Sequence, residues 1–92
     1  MTELSSNKVA ISSRVIFQEV GGEAVLLDLK GERYYRLDVV ATRIWQLIEK
    51  YGDLQPVLQT MCGEFAVDET VLRQDLSNFI NDLAGAGLIS LP

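Results

Sequence analysis

The sequence predicts an α+β domain in which a three-stranded antiparallel β-meander precedes three α-helices. Three observations carry this. Two apolar runs, residues 14–20 and 23–29, are split by Gly21-Gly22. A third run, Arg33-Tyr34-Tyr35-Arg36-Leu37, is rich in aromatics and stops at Asp38. From Val39 the apolar residues change to helical spacing and keep it to Leu83. Period and composition together therefore switch once, from strand to helix, at Asp38.

Gly21-Gly22 suits a two-residue hairpin, whose turn requires positive φ. That loop sets Val20 opposite Glu23, Ile16 opposite Leu27 and Phe17 opposite Leu26. Both faces of this hairpin are partly apolar, so either both are covered or one is a contact surface. Lys30-Gly31-Glu32 is read as a three-residue second turn pairing Leu29 with Arg33, Leu27 with Tyr35 and Val25 with Leu37. This register gathers Val25, Leu27, Leu29, Tyr35 and Leu37 on one face, with Tyr34 and Arg36 on the other. The third strand then lies at an edge of the sheet.

Asp38 is a preferred N-cap, and a first helix is expected from Val39 to Tyr51, stopped by Gly52. Its stripe is Ala41, Ile44, Trp45 and Ile48. A second helix follows Asp53, with Pro56 in the first turn, where a missing N–H does little harm. Leu54, Val57, Leu58, Met61, Cys62 and Phe65 give it a clean helical period. The third starts after the cap Asp68, with Leu72, Leu76, Phe79 and Leu83 as its stripe and Ile80 alongside. Val71 and Asp75 border the opposite flank. Gly85-Ala86-Gly87 ends it, and Leu88-Ile89 is expected to fold back on the core. The domain is expected to span residues 13–90, after a loosely held tail over residues 1–12.

The net charge of −5 is unevenly spread. Residues 1–37 hold five bases and five acids, whereas residues 38–92 hold three bases against eight acids. The third helix carries only Arg73 against Asp68, Glu69, Asp75 and Asp82. A phosphate-facing recognition helix needs the opposite sign, which argues against nucleic acid as a partner. The chain has no histidine, and Cys62 is its sole cysteine. Histidine-based triads, histidine metal sites and an internal disulfide are thereby excluded, and no cofactor or metal is expected. With no nucleophile–base pair or paired carboxylates in evidence, an enzyme is not expected. No apolar run approaches the roughly 18–20 residues that span a bilayer, and no signal-peptide core precedes the strands, so a cytoplasmic protein is expected.

Three short helices after a β-meander have the makings of a winged helix-turn-helix with its sheet first. More specifically, the order of segments resembles the PqqD-like family of recognition elements for ribosomally made, modified peptides. The segments are the hairpin, Gly31-Glu32-Arg33-Tyr34-Tyr35-Arg36-Leu37-Asp38, Ile44-Trp45-Gln46-Leu47-Ile48, Asp75-Leu76-Ser77-Asn78-Phe79-Ile80 and the closing Gly87-Leu88-Ile89. Within that family the chain is most similar to the free-standing leader-binding proteins of lasso-peptide clusters, with a PqqD-type chaperone of another pathway as the alternative.

The resemblance implies non-catalytic binding of a precursor's leader peptide, in partnership with a separate leader protease and cyclase. It implies that the leader adds as a strand to Arg33, Tyr34, Tyr35, Arg36 and Leu37, in a groove walled by the third helix. Val71, Leu72, Asp75, Leu76 and Phe79 are the candidates on that wall. Each has a plainer reading. Tyr35, Leu37, Leu72, Leu76 and Phe79 suit a core, Arg33 and Arg36 suit a guarded sheet edge, and Asp75 suits a solvated face.

Overall fold

The computed structural model describes residues 8–91. Its strands are β1 (Ala10–Ile11), β2 (Val15–Val20), β3 (Glu23–Asp28), β4 (Arg33–Leu37) and β5 (Ile89–Ser90). The helices are α1 (Val39–Tyr51), α2 (Leu54–Glu64) and α3 (Glu69–Gly85). The main sheet has the order β2-β3-β4, all antiparallel, and β1 pairs with β5 in a separate two-stranded sheet.

Local chemistry accounts for the helix ends. The Asp38 carboxylate accepts from the Ala41 N–H at 2.8 Å, and Gly52 closes α1 in a left-handed conformation at φ 63°. Asp53 accepts from the Gln55 N–H at the start of α2, and Asp68 accepts from the N–H groups of Thr70 and Val71 at the start of α3. Each cap satisfies backbone donors that the first helical turn leaves without partners.

The first hairpin has the expected register, Val20 opposite Glu23, Ile16 opposite Leu27 and Phe17 opposite Leu26. The second does not. Ala24 pairs with Leu37, Leu26 with Tyr35 and Asp28 with Arg33, so the connection is four residues long, 29–32, one more than expected. The face turned to the core therefore carries Ala24, Leu26, Asp28, Tyr35 and Leu37, not Val25, Leu27 and Leu29. Leu26 is fully buried, whereas Leu29 is 59% exposed.

The cause is Asp28. Its Oδ1 accepts from the N–H groups of Lys30 at 3.2 Å and Gly31 at 3.3 Å, which folds the turn around the carboxylate. The same oxygen accepts from Arg14 Nε at 3.0 Å, and Arg14 Nη2 donates to the Gly87 carbonyl at 2.9 Å. One buried carboxylate thus organises the β3–β4 turn and, through Arg14, ties it to the end of α3. Counting aliphatic residues alone favoured the wrong face, because the polar residue that belongs inside is the one the turn requires.

Burial pushes the Asp28 carboxyl up, but the Gly31 N–H, the Arg14 guanidinium and the Lys30 N–H together outweigh it and hold it below its ordinary value of 3.8. A carboxyl lowered in the folded state contributes stability above its unfolded value, and that contribution is lost as pH falls through the folded value. Asp28→Asn is therefore expected to melt at a lower temperature than the parent at about pH 5, with the difference shrinking toward about pH 2. Paired thermal melts across that range check it; a difference independent of pH would contradict the ion pair.

Residues 8–12 belong to the fold, whereas the expected tail ran to residue 12. Lys8 and Asp53 form an isolated backbone β-bridge, and Val9 is buried and donates to the Gly52 carbonyl at 3.0 Å. Ala10–Ile11 pair with Ile89–Ser90, and the Ser12 N–H donates to the Leu88 carbonyl at 2.9 Å. The remainder of that tail, residues 1–7, lies outside the described residues. Leu88 and Ile89 are buried, as their apolar character suggested.

One core joins these parts. Trp45, Leu47 and Ile48 of α1 meet Leu26 of the sheet, Val57 and Met61 of α2, and Leu88. α1 packs on β3 and β4, α2 on α1, and α3 on α2 and β5. Helices cover one face of the β2-β3-β4 sheet. The other, bearing Ile16, Val20 and Tyr34, has all three of these side chains at least 41% exposed.

Candidate functional site

The main sheet has two edges, β2 and β4, and the outer edge of β4 meets no described strand. In a two-residue hairpin the residues flanking the loop form a hydrogen-bonded pair, here Val20 and Glu23. Bonding direction alternates along a strand, so the odd-numbered residues of β3 face β2. The Leu29 N–H, which donates to the Arg14 carbonyl at 3.1 Å, agrees. Ala24, Leu26 and Asp28 consequently bond across to Leu37, Tyr35 and Arg33. The N–H and C=O groups of Tyr34 and Arg36 then point away from the sheet, and no described strand pairs with them.

The side chains alternate with the same period. Leu37 is buried and Tyr35 half-buried, both on the core face, while Tyr34 is 67% exposed on the outer face beside Arg36. Tyr35 and Leu37 thus have their apolar bulk in the core, and Tyr34 and Arg36 stand along the exposed edge.

On α3 the candidates separate by burial. Leu72 and Leu76 are each 5% exposed and act as core residues. Phe79 is half-buried, Val71 is 55% exposed and Asp75 is exposed. Helical spacing places Val71, Asp75, Phe79 and Asp82 along one flank. The opposite flank, with Arg73, Ser77 and Ile80, turns to α2 and lines a cavity of about 460 Å³ together with Leu54, Leu58 and Leu91. Leu76 lines that cavity too, so its side chain lies on the α2 side of the helix. The flank with Val71 and Asp75 is turned away from α2, and α3 does not pack closely on β4.

The side-chain network of Arg14 and Asp28 was missed by pattern reading, although it holds the start of β4 in place. An acid at the start of a Leu-Lys-Gly turn was the available signal.

No group of three or more histidine, cysteine, aspartate or glutamate side chains gathers to hold a metal among the described residues. No described helix is long and apolar enough to cross a membrane.

The family profile for coenzyme PQQ synthesis protein D (PqqD) matches residues 23–89, from the middle strand of the sheet to β5. The chain belongs to the PqqD family. Among solved structures, the PqqD-family fold is shared with TbiB1, determined in complex with the TbiA(beta) leader peptide. The two are 33% identical with a TM-score of 0.84, over 88% of this chain and 94% of TbiB1. A lasso peptide synthetase B1 complexed with its leader peptide shares the fold at a TM-score of 0.80 and 22% identity, over 92% of this chain and 99% of the other. No curated protein matches the chain by sequence. Over 88% of its length this PqqD-family chain therefore shares the fold of a protein determined with a leader peptide bound.

Proposed function

We propose that this chain recognises the leader region of a ribosomally made precursor peptide without itself catalysing a reaction. The leader adds as an antiparallel strand to β4, between that strand and the Val71–Asp75–Phe79 flank of α3. The bound leader is then presented to a separate protease and cyclase, as in lasso-peptide biosynthesis in the cytoplasm. The observation that carries this reading is the open edge of β4, a strand that leads directly into α1. Its Tyr34 and Arg36 backbone groups point outward and are free to pair with an added strand. Membership of the PqqD family and the leader complex of the 33% identical TbiB1 support it. The family match equally favours a PqqD-type chaperone of another pathway, and the identity of the precursor bound separates the two. The binding unit is one domain that starts by Lys8, since β1 holds β5 and with it the end of α3.

The energetics suit a binder. Each backbone hydrogen bond contributes about 0.5–1.5 kcal/mol net, and each buried apolar anchor roughly 1.5–3 kcal/mol. Ordering the leader opposes this by about 2–5 kcal/mol. Four edge bonds and two anchors reach micromolar affinity only toward the upper end of these ranges, about −8 kcal/mol. Calorimetry with the cognate leader is expected to give a dissociation constant in the micromolar range or tighter. Hydrogen exchange is expected to show new protection at residues 33–37 and little change at Gly21-Gly22. No heat up to about 100 μM leader, well above that affinity, would reject the reading. Protection confined to α2 would place the peptide elsewhere.

Asp75 tests the α3 wall. An exposed carboxylate beside the groove accepts a hydrogen bond from a leader N–H or polar side chain, and charge-assisted bonds of this kind are the strong ones. Asp75→Asn is expected to weaken leader binding about 10-fold while leaving thermal stability nearly unchanged. Unchanged affinity in calorimetry would remove Asp75 from the site.

A further inference from the structure

The arginines of this acidic chain are not equivalent. Three of the five have a carboxylate partner: Arg14 with Asp28, Arg43 with Glu64 and Arg73 with Glu69. Arg33 and Arg36 have none among the described residues, and both are exposed on β4. A guanidinium offers a planar fork of donors that matches a carboxylate in two-point contact, which an ammonium does not. Two such groups stand unpaired at the edge left open for a strand, in a chain with a surplus of acids.

The sheet register says which neighbour each has. Across the outer face Tyr34 continues the row Ile16–Leu27, which is apolar. Arg36 continues the row Gln18–Val25, which contains no acid. A strand added to β4 contributes the fourth member of each row, directly opposite Tyr34 and Arg36, and its side chains there point to the same outer face. Because the strands are antiparallel, the residue opposite Arg36 comes two positions before the residue opposite Tyr34. On the α3 flank that the strand-addition reading sets across the groove, Asp75 and Asp82 would repel a carboxylate pointing inward.

We infer that the peptide read by this site carries an aspartate or glutamate opposite Arg36, followed two residues later by an aromatic or branched apolar residue opposite Tyr34. This rests on the strand-addition reading and adds the chemistry by which one leader is told from another. Exposed charge pairs add little affinity alone, but a basic strand edge facing an acidic helix flank selects both the charge of the peptide and the face that carries it.

The test uses the intact chain, its Arg36→Gln variant and two peptides. The peptides are the leader of the cognate precursor and the same leader with every Asp and Glu replaced by Asn and Gln. Calorimetry is expected to show the neutralised leader binding the parent chain about 3- to 10-fold more weakly, the range for one exposed charge-assisted pair. Arg36→Gln is expected to weaken the acidic leader by a similar factor and to make no further difference to the neutralised one, a non-additive cycle. Circular dichroism of the variant should match the parent, since Arg36 is exposed. Single replacements along the leader should confine the coupling to one acid, with Tyr34→Ala coupled to the residue two positions later. Equal binding of both peptides, additive losses, or coupling at another spacing overturns the inference. Hydrogen exchange separates the two levels. If β4 is protected by both peptides and their affinities are equal, only the carboxylate pairing falls. If neither peptide protects β4, strand addition falls with it.

Discussion

Arg36→Pro is expected to lower leader affinity on the order of 100-fold while the protein remains folded. The register points the Arg36 N–H away from β3, so proline removes no bond of the existing sheet. It removes a donor needed by the incoming strand, and its ring occupies the line along which that strand would pair. The lost bond by itself contributes about 0.5–1.5 kcal/mol, at most about tenfold, and the obstruction of its neighbours supplies the rest. Tyr35→Pro is the control, because the Tyr35 N–H faces Leu26 within the sheet and its loss disrupts the ladder. The check is calorimetry of Arg36→Pro with the cognate leader, after circular dichroism and a thermal melt establish that it is folded. Parent-like affinity in a folded Arg36→Pro would move the peptide off this edge.

Leu26→Ala is expected to destabilise the fold by about 2–5 kcal/mol, and Leu27→Ala by about 1 kcal/mol or less. Leu26 is fully buried between Phe17 and Tyr35 on the core face, whereas Leu27 lies between Ile16 and Tyr34 on the face without helices. Against a total stability of about 5–15 kcal/mol, the first loss is a large fraction, and for a domain of this size it lowers Tm by more than about 8 °C. Urea unfolding of the two variants tests the register directly. A larger loss at Leu27 than at Leu26 would restore the face expected from the aliphatic pattern and contradict the four-residue turn.

The candidate site was legible in proportion to how local its causes are. The run from Arg33 to Asp38 announced an exposed-edge strand feeding a helix, because aromatic composition, alternation and an N-cap are all written within six residues. Which of its residues present their backbone outward needed the parity of β3, and that parity passes through the Gly21-Gly22 turn. On α3, spacing alone grouped Leu72, Leu76, Phe79 and Leu83 as one stripe with Ile80 alongside. Packing against α2 shifts the buried arc toward Ile80, leaving Phe79 half-buried beside Val71 and Asp75. Periodicity finds a helix's apolar side, but the neighbours decide where the buried arc is centred.

By itself the sequence determined the three helices and their caps, the first hairpin with its register, and the exclusion of histidine chemistry. For the helices and the hairpin the donor, acceptor or turn residue lies within a few positions of the group it satisfies, and the exclusion needs only the absence of histidine from the sequence. Tertiary structure alone decided the second hairpin, since Asp28 is held by Arg14, fourteen residues away, which in turn reaches Gly87, a further seventy-three residues along the chain. It also decided that residues 8–12 are held in place, because their partners are Gly52, Asp53, Leu88, Ile89 and Ser90. A two-residue strand has too few bonds to persist without partners brought to it by the core, so its existence depends on the packing of α1, α2 and α3.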